Sequence, residues 1–242
     1  MRATRAWLRR DSLARGIAYL GTLGCVAWAM VAADPDRLSW LFGVLALGAV
    51  GANLFDARTE AQRVTISGSA LAGILVIAFF GPAWAAVAVC LAELAVWVLE
   101  RYPPERVAIN LLGGAAPMLV AGTAFEAIRP AADGSPGFYA ALALAAVLVL
   151  VLNLLIVVGL ASLLDAVPFL RTVAGASLTL LTSIAINVPL ALAAAGLITE
   201  LDLAGTAFAA FTLIAFSYMA NLVATARQRS KEYASLSWGV LS

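Results

Sequence analysis

The chain has 242 residues, of which 63% are hydrophobic and 12% are charged, and its formal net charge is +1. Soluble domains average about 45–50% apolar and about 25% charged residues, so this composition excludes an ordinary soluble protein. The chain has no histidine, and its two cysteines lie inside apolar segments, which excludes histidine catalysis, a zinc cluster and a disulfide framework. We therefore expect no cofactor. The net charge of only +1 does not favour a nucleic-acid partner, and we expect none.

Apolar segments long enough to cross about 30 Å of hydrocarbon as helix recur along the chain. Short turn sequences such as Asp34-Pro35-Asp36 and Gly81-Pro82 separate them. The pattern predicts an all-α, polytopic membrane helix bundle with about eight transmembrane helices, at 16–33, 38–55, 65–81, 83–99, 107–128, 138–164, 174–197 and 203–226. Because the third and fourth segments are short and only Gly81-Pro82 joins them, six crossings plus one re-entrant hairpin is the alternative.

The positions of the basic residues predict the orientation, because Lys and Arg near span ends stay in the cytoplasm. With the amino terminus inside, 13 of the 15 basic residues fall in inner segments, and only Arg37 and Arg129 fall outside. We therefore expect an even number of crossings with both termini cytoplasmic. Its parts are then a basic amino terminus (1–15), the transmembrane bundle (16–226) and a cytoplasmic connector helix (227–242).

Aromatic and small residues indicate how the spans sit and pack. Trp97 and Tyr102 fall at a predicted inner edge, where amphipathic rings prefer the headgroup level. Gly48 and Ala52 have the four-residue spacing that lets helix backbones approach closely. We expect these two residues to face a neighbouring helix.

Polar residues within the spans are the candidate functional residues, because a carboxylate or amide in a membrane needs a partner. Glu93 lies about two turns from the cytoplasmic end of the fourth span and is either a proton-linked or ligand-contacting group, or an acid hydrogen-bonded to a neighbouring helix for assembly. Asparagines recur in the last four spans, and interhelical hydrogen bonds of about 0.6–2 kcal/mol each are their favoured explanation. The sharper alternative is a polar ligand-binding site drawn from Glu93, Asn110, Asn153 and Asn187. No catalytic or metal-binding residue is predicted.

The segment after the last span has near-heptad apolar spacing, which is typical of a helix that leaves the bilayer and pairs with a partner. Its apolar stripe is still becoming more hydrophobic at the end of the chain, which predicts a connector leading to an output domain that is absent here. Besides the lipid bilayer, the candidate partner is a second copy of this chain. The residues of this signal connector are Arg227, Arg229, Tyr233, Leu236 and Val240.

Two of these segments resemble a known family. The sequence Arg-Val-Ala-Ile-Asn at 106–110, which opens an Ala- and Gly-rich span, is similar to a motif in the amino-terminal membrane regions of bacterial HD and HD-GYP phosphohydrolases. The tail Tyr-Ala-Ser-Leu-Ser-Trp-Gly-Val-Leu at 233–241 looks like the connector that leads into their catalytic module. The family usually has Phe where this chain has Ile109, and its His-Asp metal ligands cannot be present in a chain without histidine.

The resemblance implies a sensor or anchor region of the bacterial inner membrane that couples its helices to a downstream HD-type phosphohydrolase module. Because this chain has no histidine and no catalytic constellation, we do not expect it to be an enzyme itself. The alternative is a small-molecule-binding membrane subunit, like the substrate-binding components of vitamin-uptake transporters. In that case Glu93 and the asparagines would contact the ligand, whose identity the sequence does not give.

Overall fold

The computed structural model describes residues 2–54, 68–130, 132–164 and 167–240, and over these residues it is helical without a strand. A short 3-10 turn at Pro35–Arg37 follows the first helix. The helices are α1 (Arg2–Ala32), α2 (Trp40–Leu54), α3 (Gly68–Phe80), α4 (Pro82–Glu100), α5 (Pro104–Ile128), α6 (Pro136–Leu164) and α7 (Phe169–Val240).

Helix α7 is broken at Asp202, whose backbone is non-helical (φ 46°, ψ −110°). A side chain at Gly205 would overlap the carbonyl of Leu197, although residues eight apart in a straight helix are separated by about 12 Å. The chain therefore reverses at Asp202. We call residues 169–201 the first arm of α7 and residues 203–240 its second arm.

The helical membrane character predicted from the sequence is confirmed in its coarse form. Among the described residues, five helical segments are long and apolar enough to cross a membrane: Ser12–Ala32, Pro82–Glu100, Pro104–Ile128, Pro136–Leu164 and Leu180–Met219. The last of these segments includes the break at Asp202. Helices α2 and α3 are apolar but shorter. The number of crossings and the side on which the termini lie stay predictions, and so does the re-entrant alternative, because its first residues, 65–67, lie outside the described residues.

Helix α3 is the centre of the bundle and contacts α2, α4, α5, α6 and α7. Of its 13 residues, 11 are buried. Helix α1 lies at the edge against α4, α5 and α6 and leaves large apolar side chains such as Leu20 and Met30 exposed. An apolar outer surface is the expected result for helices whose solvent is lipid.

The turns lie where the sequence predicts them, and the helix ends differ by a few residues. Gly81 has φ +91°, a conformation that favours glycine, and with Pro82 at the first helical position it joins α3 to α4. Helix α1 begins at Arg2, so the predicted basic amino terminus and the first span form one continuous helix. The predicted inner segment that contains Arg58 and Arg63 lies outside the described residues.

Candidate functional site

Glu93 lies on α4, two turns before the end of the helix. After Glu100 the chain turns through Arg101, which is in the left-handed conformation (φ 50°) and donates its backbone N–H to the Trp97 carbonyl at 2.8 Å. The Trp97 indole N–H donates to the backbone carbonyl of Tyr102 at 3.1 Å. This turn directs the Tyr102 side chain back along α4 toward Glu93.

Three side-chain donors converge on the Glu93 carboxylate. Its Oε1 accepts hydrogen bonds from the Tyr102 hydroxyl and from Asn110 Nδ2, the latter at 2.6 Å. Its Oε2 accepts from Asn53 Nδ2 at 3.4 Å. We call these four residues the Glu93 cluster. The cluster joins α2, α4, α5 and the α4–α5 turn at one end of the bundle.

Burial differs across the Glu93 cluster. Asn53 is buried, Glu93 and Tyr102 are half-buried, and Asn110 is exposed. A carboxylate in an apolar span is stabilised when it accepts hydrogen bonds, which contribute about 1.5–3 kcal/mol each when one partner is charged. The arrangement therefore suits helix assembly and leaves one edge of the cluster accessible through Asn110.

The other two predicted site residues lie outside the Glu93 cluster. Asn153 on α6 donates to the Gly113 carbonyl on α5 at 2.7 Å, one turn along α5 from Asn110. Asn187 is buried and donates at 2.9 Å to the carbonyl and the hydroxyl of Ser183, one turn earlier in its own helix. The structure thus brings Glu93 and Asn110 together, places Asn153 nearby on the neighbouring helix, and keeps Asn187 apart.

Sequence reasoning missed Asn53 and Tyr102 as members of the cluster. Asn53 lies two residues before the predicted end of its span, where an amide has water as an alternative partner, and the position of Tyr102 predicts only an aromatic anchor at the headgroup level. The available signal was chemical, because a phenol hydroxyl and an amide near a membrane carboxylate each need a partner. Within the described ranges, no group of three or more His, Cys, Asp or Glu side chains could hold a metal ion.

The predicted signal connector lies on the second arm of α7, which continues as helix through Val240. The positions of Arg227, Arg229, Tyr233, Leu236 and Val240 all belong to this helix. Tyr233, Leu236 and Val240 are separated by three and four residues, which places them on one face of a helix.

A second polar region lies at the opposite end of the bundle. Arg37 Nη1 contacts Glu126 Oε1 at 2.6 Å, and Arg37 Nε lies 3.5 Å from Asp34 Oδ2. The Trp84 indole N–H donates to the Asp34 backbone carbonyl at 2.9 Å. We call this end of the bundle, where the α1–α2, α3–α4, α5–α6 and Asp202 turns lie, the Arg37 end. It is the end that the charge distribution predicts to be outside the cell.

Comparison of the chain with protein-family models, with curated proteins and with solved structures finds no match. The resemblance to the membrane regions of HD phosphohydrolases therefore rests on the two sequence segments at 106–110 and 233–241.

Proposed function

We propose that this chain is the membrane-embedded sensor or anchor region of a bacterial signalling protein, located in the inner membrane, which couples its helix bundle to a cytoplasmic HD-type phosphohydrolase module. The observation that carries the proposal is the length of the second arm of α7. Residues 203–240 at 1.5 Å per residue give a helix of about 57 Å, against about 30 Å of hydrocarbon. One continuous helix thus extends well beyond the apolar layer.

The first half of the second arm, which includes Ala210 and Ser217, packs closely against α2 and α3. A Cβ at Gly48 of α2 would lie 3.1 Å from the Ala210 side chain, and a Cβ at Gly68 of α3 would overlap the Ser217 hydroxyl. Ala52, which forms the predicted small-residue pair with Gly48, is buried, and its Cβ would also lie within 2.8 Å of a Cβ at Gly68. The prediction that Gly48 and Ala52 face a neighbouring helix is therefore confirmed. Because closely packed interfaces move as rigid bodies, a shift of α2 or α3 would displace the whole second arm.

The last part of the second arm, from residue 227 onward, carries the signal connector. Its near-heptad spacing supports pairing with a second copy of this chain, so we include a homodimer in the proposal. In such a dimer a rotation or translation of the second arm changes how the two connectors pack. Switching requires two packings that differ by a few kcal/mol and a ligand or membrane state that favours one of them.

The test is a helical-phase experiment on a chimera in which an HD-type phosphohydrolase module is joined after Ser242. One, two, three, four or seven residues are inserted after Lys231 within the connector helix. Each residue rotates a helix by about 100°, so insertions of one or two residues, which turn the connector away from its original face, should change the hydrolysis rate several-fold. Insertions of three or four residues leave the face about 60° or 40° away and should change the rate less, and seven residues bring it within about 20° and should nearly restore the original rate.

The control chimera carries the same module and the same insertions behind an unrelated single-span anchor. Equal rates for all insertions, or the same pattern with the unrelated anchor, would contradict a signalling role for this bundle. If the rates were equal and the module were fully active behind either anchor, the bundle would serve only as a membrane tether.

The alternative, a ligand-binding transporter subunit centred on Glu93, has less support from the geometry. Both carboxylate oxygens of Glu93 already accept hydrogen bonds from the protein, and Asn187 lies elsewhere. Mass spectrometry of the purified chain and of its Glu93→Gln variant decides between the two. A small molecule retained by the wild type and lost from the variant would favour the transporter reading.

A further inference from the structure

A cavity of about 280 Å³ opens at the Arg37 end, between the start of α2, the end of α3 and the Asp202 turn of α7. Its floor is apolar and includes Leu45, Phe80 and Ile198, all of which are buried. Its polar lining includes Ser39, Asp202 and Thr206. Small-molecule sites combine an apolar floor with a few polar groups in this way, and the volume lies just below their usual range of about 300–1,000 Å³. A small occupant is therefore expected.

The charged residues around the cavity determine whether a cation or an anion is favoured there. Arg37 also lines the cavity, but its guanidinium already contacts the carboxylates of Glu126 and Asp34. The Asp202 carboxylate has no hydrogen bond or ion pair within the part of the chain that the structure describes. The uncompensated charge at the cavity is therefore negative.

The whole Arg37 end also carries a net negative charge. Its described charged residues comprise more acids than cations, and Arg129 is itself paired with Asp133 at 2.6 Å. An acidic mouth attracts cations and repels anions before any contact is made. The acids at this end are Asp34, Asp36, Glu126, Asp133, Glu200 and Asp202, and its cations are Arg37 and Arg129.

The acceptors suit a primary ammonium group in particular. An ammonium group has three N–H donors and no acceptor, and the cavity offers two exposed acceptor side chains, the Asp202 carboxylate and the Ser39 hydroxyl. The Thr206 hydroxyl is fully buried and donates its proton to the Asp202 carbonyl at 2.8 Å, which supports the turn rather than the ligand. The aromatic ring of Phe80 can also contact a cation or the apolar body attached to it.

The backbone at Asp202 gives an independent reason to expect a site here. A non-glycine residue at φ 46° and ψ −110° is strained, and such residues cluster at binding sites and switches. Thr206 and the close contact between Gly205 and Leu197 hold the strained turn in place. Asp202 is exposed and lines the cavity immediately before the second arm begins.

We propose that this cavity binds a small organic cation, a primary amine with a compact apolar body, with its ammonium group on Asp202 and its body against Leu45, Phe80 and Ile198. The inference goes beyond the proposed function and holds whether or not the chain signals. If both hold, the ligand contacts the residue from which the second arm of α7 begins.

The test compares three probes that share one body and differ in charge: benzylammonium, benzyl alcohol and benzoate. Binding is measured by equilibrium dialysis against the full chain in a neutral detergent, with empty micelles subtracted. Benzylammonium should bind at least tenfold more tightly than the other two. Equal binding of the amine and the alcohol, or no binding of the amine up to about 10 mM, would overturn the proposal.

Two matched variants locate the site. Asp202→Asn should weaken benzylammonium binding at least tenfold, whereas Glu200→Gln, which removes an exposed charge two residues away, should leave it within about twofold. Equal losses in both variants would reduce the effect to general electrostatic attraction and would overturn the assigned site. Because the three-probe comparison uses the wild type alone, the proposal is tested even if Asp202→Asn fails to fold. A failure here leaves the helical-phase experiment unaffected.

Discussion

The two ends of the bundle hold their helices together by different physical means. At the Glu93 end, one half-buried carboxylate accepts hydrogen bonds from three donors on different segments. At the Arg37 end, an exposed ion pair joins the α1–α2 turn to α5, with side chains 47% and 35% exposed. Charged hydrogen bonds away from water are costly to lose, whereas exposed ion pairs contribute about 0–1 kcal/mol. Polar contacts therefore matter most at the Glu93 end.

Packing compensates for the weak polar contacts at the Arg37 end. A Cβ at Gly122 of α5 would lie 2.6 Å from Pro82 Cβ and 2.9 Å from its Cα. Those atoms belong to the first turn of α4 and cannot move aside as a flexible side chain can. Close backbone contact through small residues is a main source of affinity between membrane helices. Steric fit thus fixes the distance between α4 and α5 at this end.

The largest expected effect comes from removing the acceptor at the Glu93 end. Glu93→Ala removes the carboxylate that accepts hydrogen bonds from the buried Asn53 amide and from the Tyr102 hydroxyl, so we expect the free energy of unfolding to fall by about 3 kcal/mol. The measurement is the unfolding midpoint in a detergent titration with sodium dodecyl sulfate. Glu93→Gln keeps one oxygen acceptor and should lose less.

The control for this loss is Glu200→Ala, which removes an exposed acid at the other end of the bundle. We expect its unfolding midpoint to stay at the wild-type value, as is usual for surface substitutions. If Glu93→Ala proved as stable as this control, the Glu93 cluster would have no role in assembly.

A smaller loss should follow from disturbing the packing at the Arg37 end. Gly122→Ala places a methyl group against the Pro82 backbone, and overpacking of this kind costs about 1–3 kcal/mol. Gly24→Ala is the matched control, because a Cβ there meets nothing within 4 Å, and its helix propensity should leave stability unchanged or raised by up to about 1 kcal/mol. Thermal unfolding in detergent measures both, and equal shifts would contradict the steric argument.

The smallest effect should come from the ion pair. Arg37→Gln and Glu126→Gln should each lower the free energy of unfolding by less than about 1 kcal/mol. The double variant should show a coupling that shrinks as salt is raised, since exposed charges are screened within about 10 Å at 0.1 M ionic strength. A double-mutant cycle at low and high salt measures this coupling, and a value above 2 kcal/mol that salt does not change would reverse the comparison between the two ends.

Part of the candidate site could be predicted from the sequence. Glu93 stands out because an ionisable group is unfavourable in lipid unless it has a partner, and it lies well inside an apolar segment. Asn110 stands out as one of the asparagines that recur in the last four predicted spans. Asn53 and Tyr102 did not stand out, because residues near span ends have water or headgroups as an alternative partner. Asn187 is one of the predicted site residues, but its amide donates hydrogen bonds to Ser183 within its own helix instead.

The sequence by itself determined the helical membrane character, the order of the segments and the position of their turns. These depend on apolar length and on local residues such as Gly81 and Pro82, and both act within a few residues. Only the tertiary structure decided that α3 is central and that three donors meet at Glu93. Those outcomes depend on how each helix is rotated and which helix it neighbours, and nearly uniform apolar segments leave both undetermined until the side chains pack.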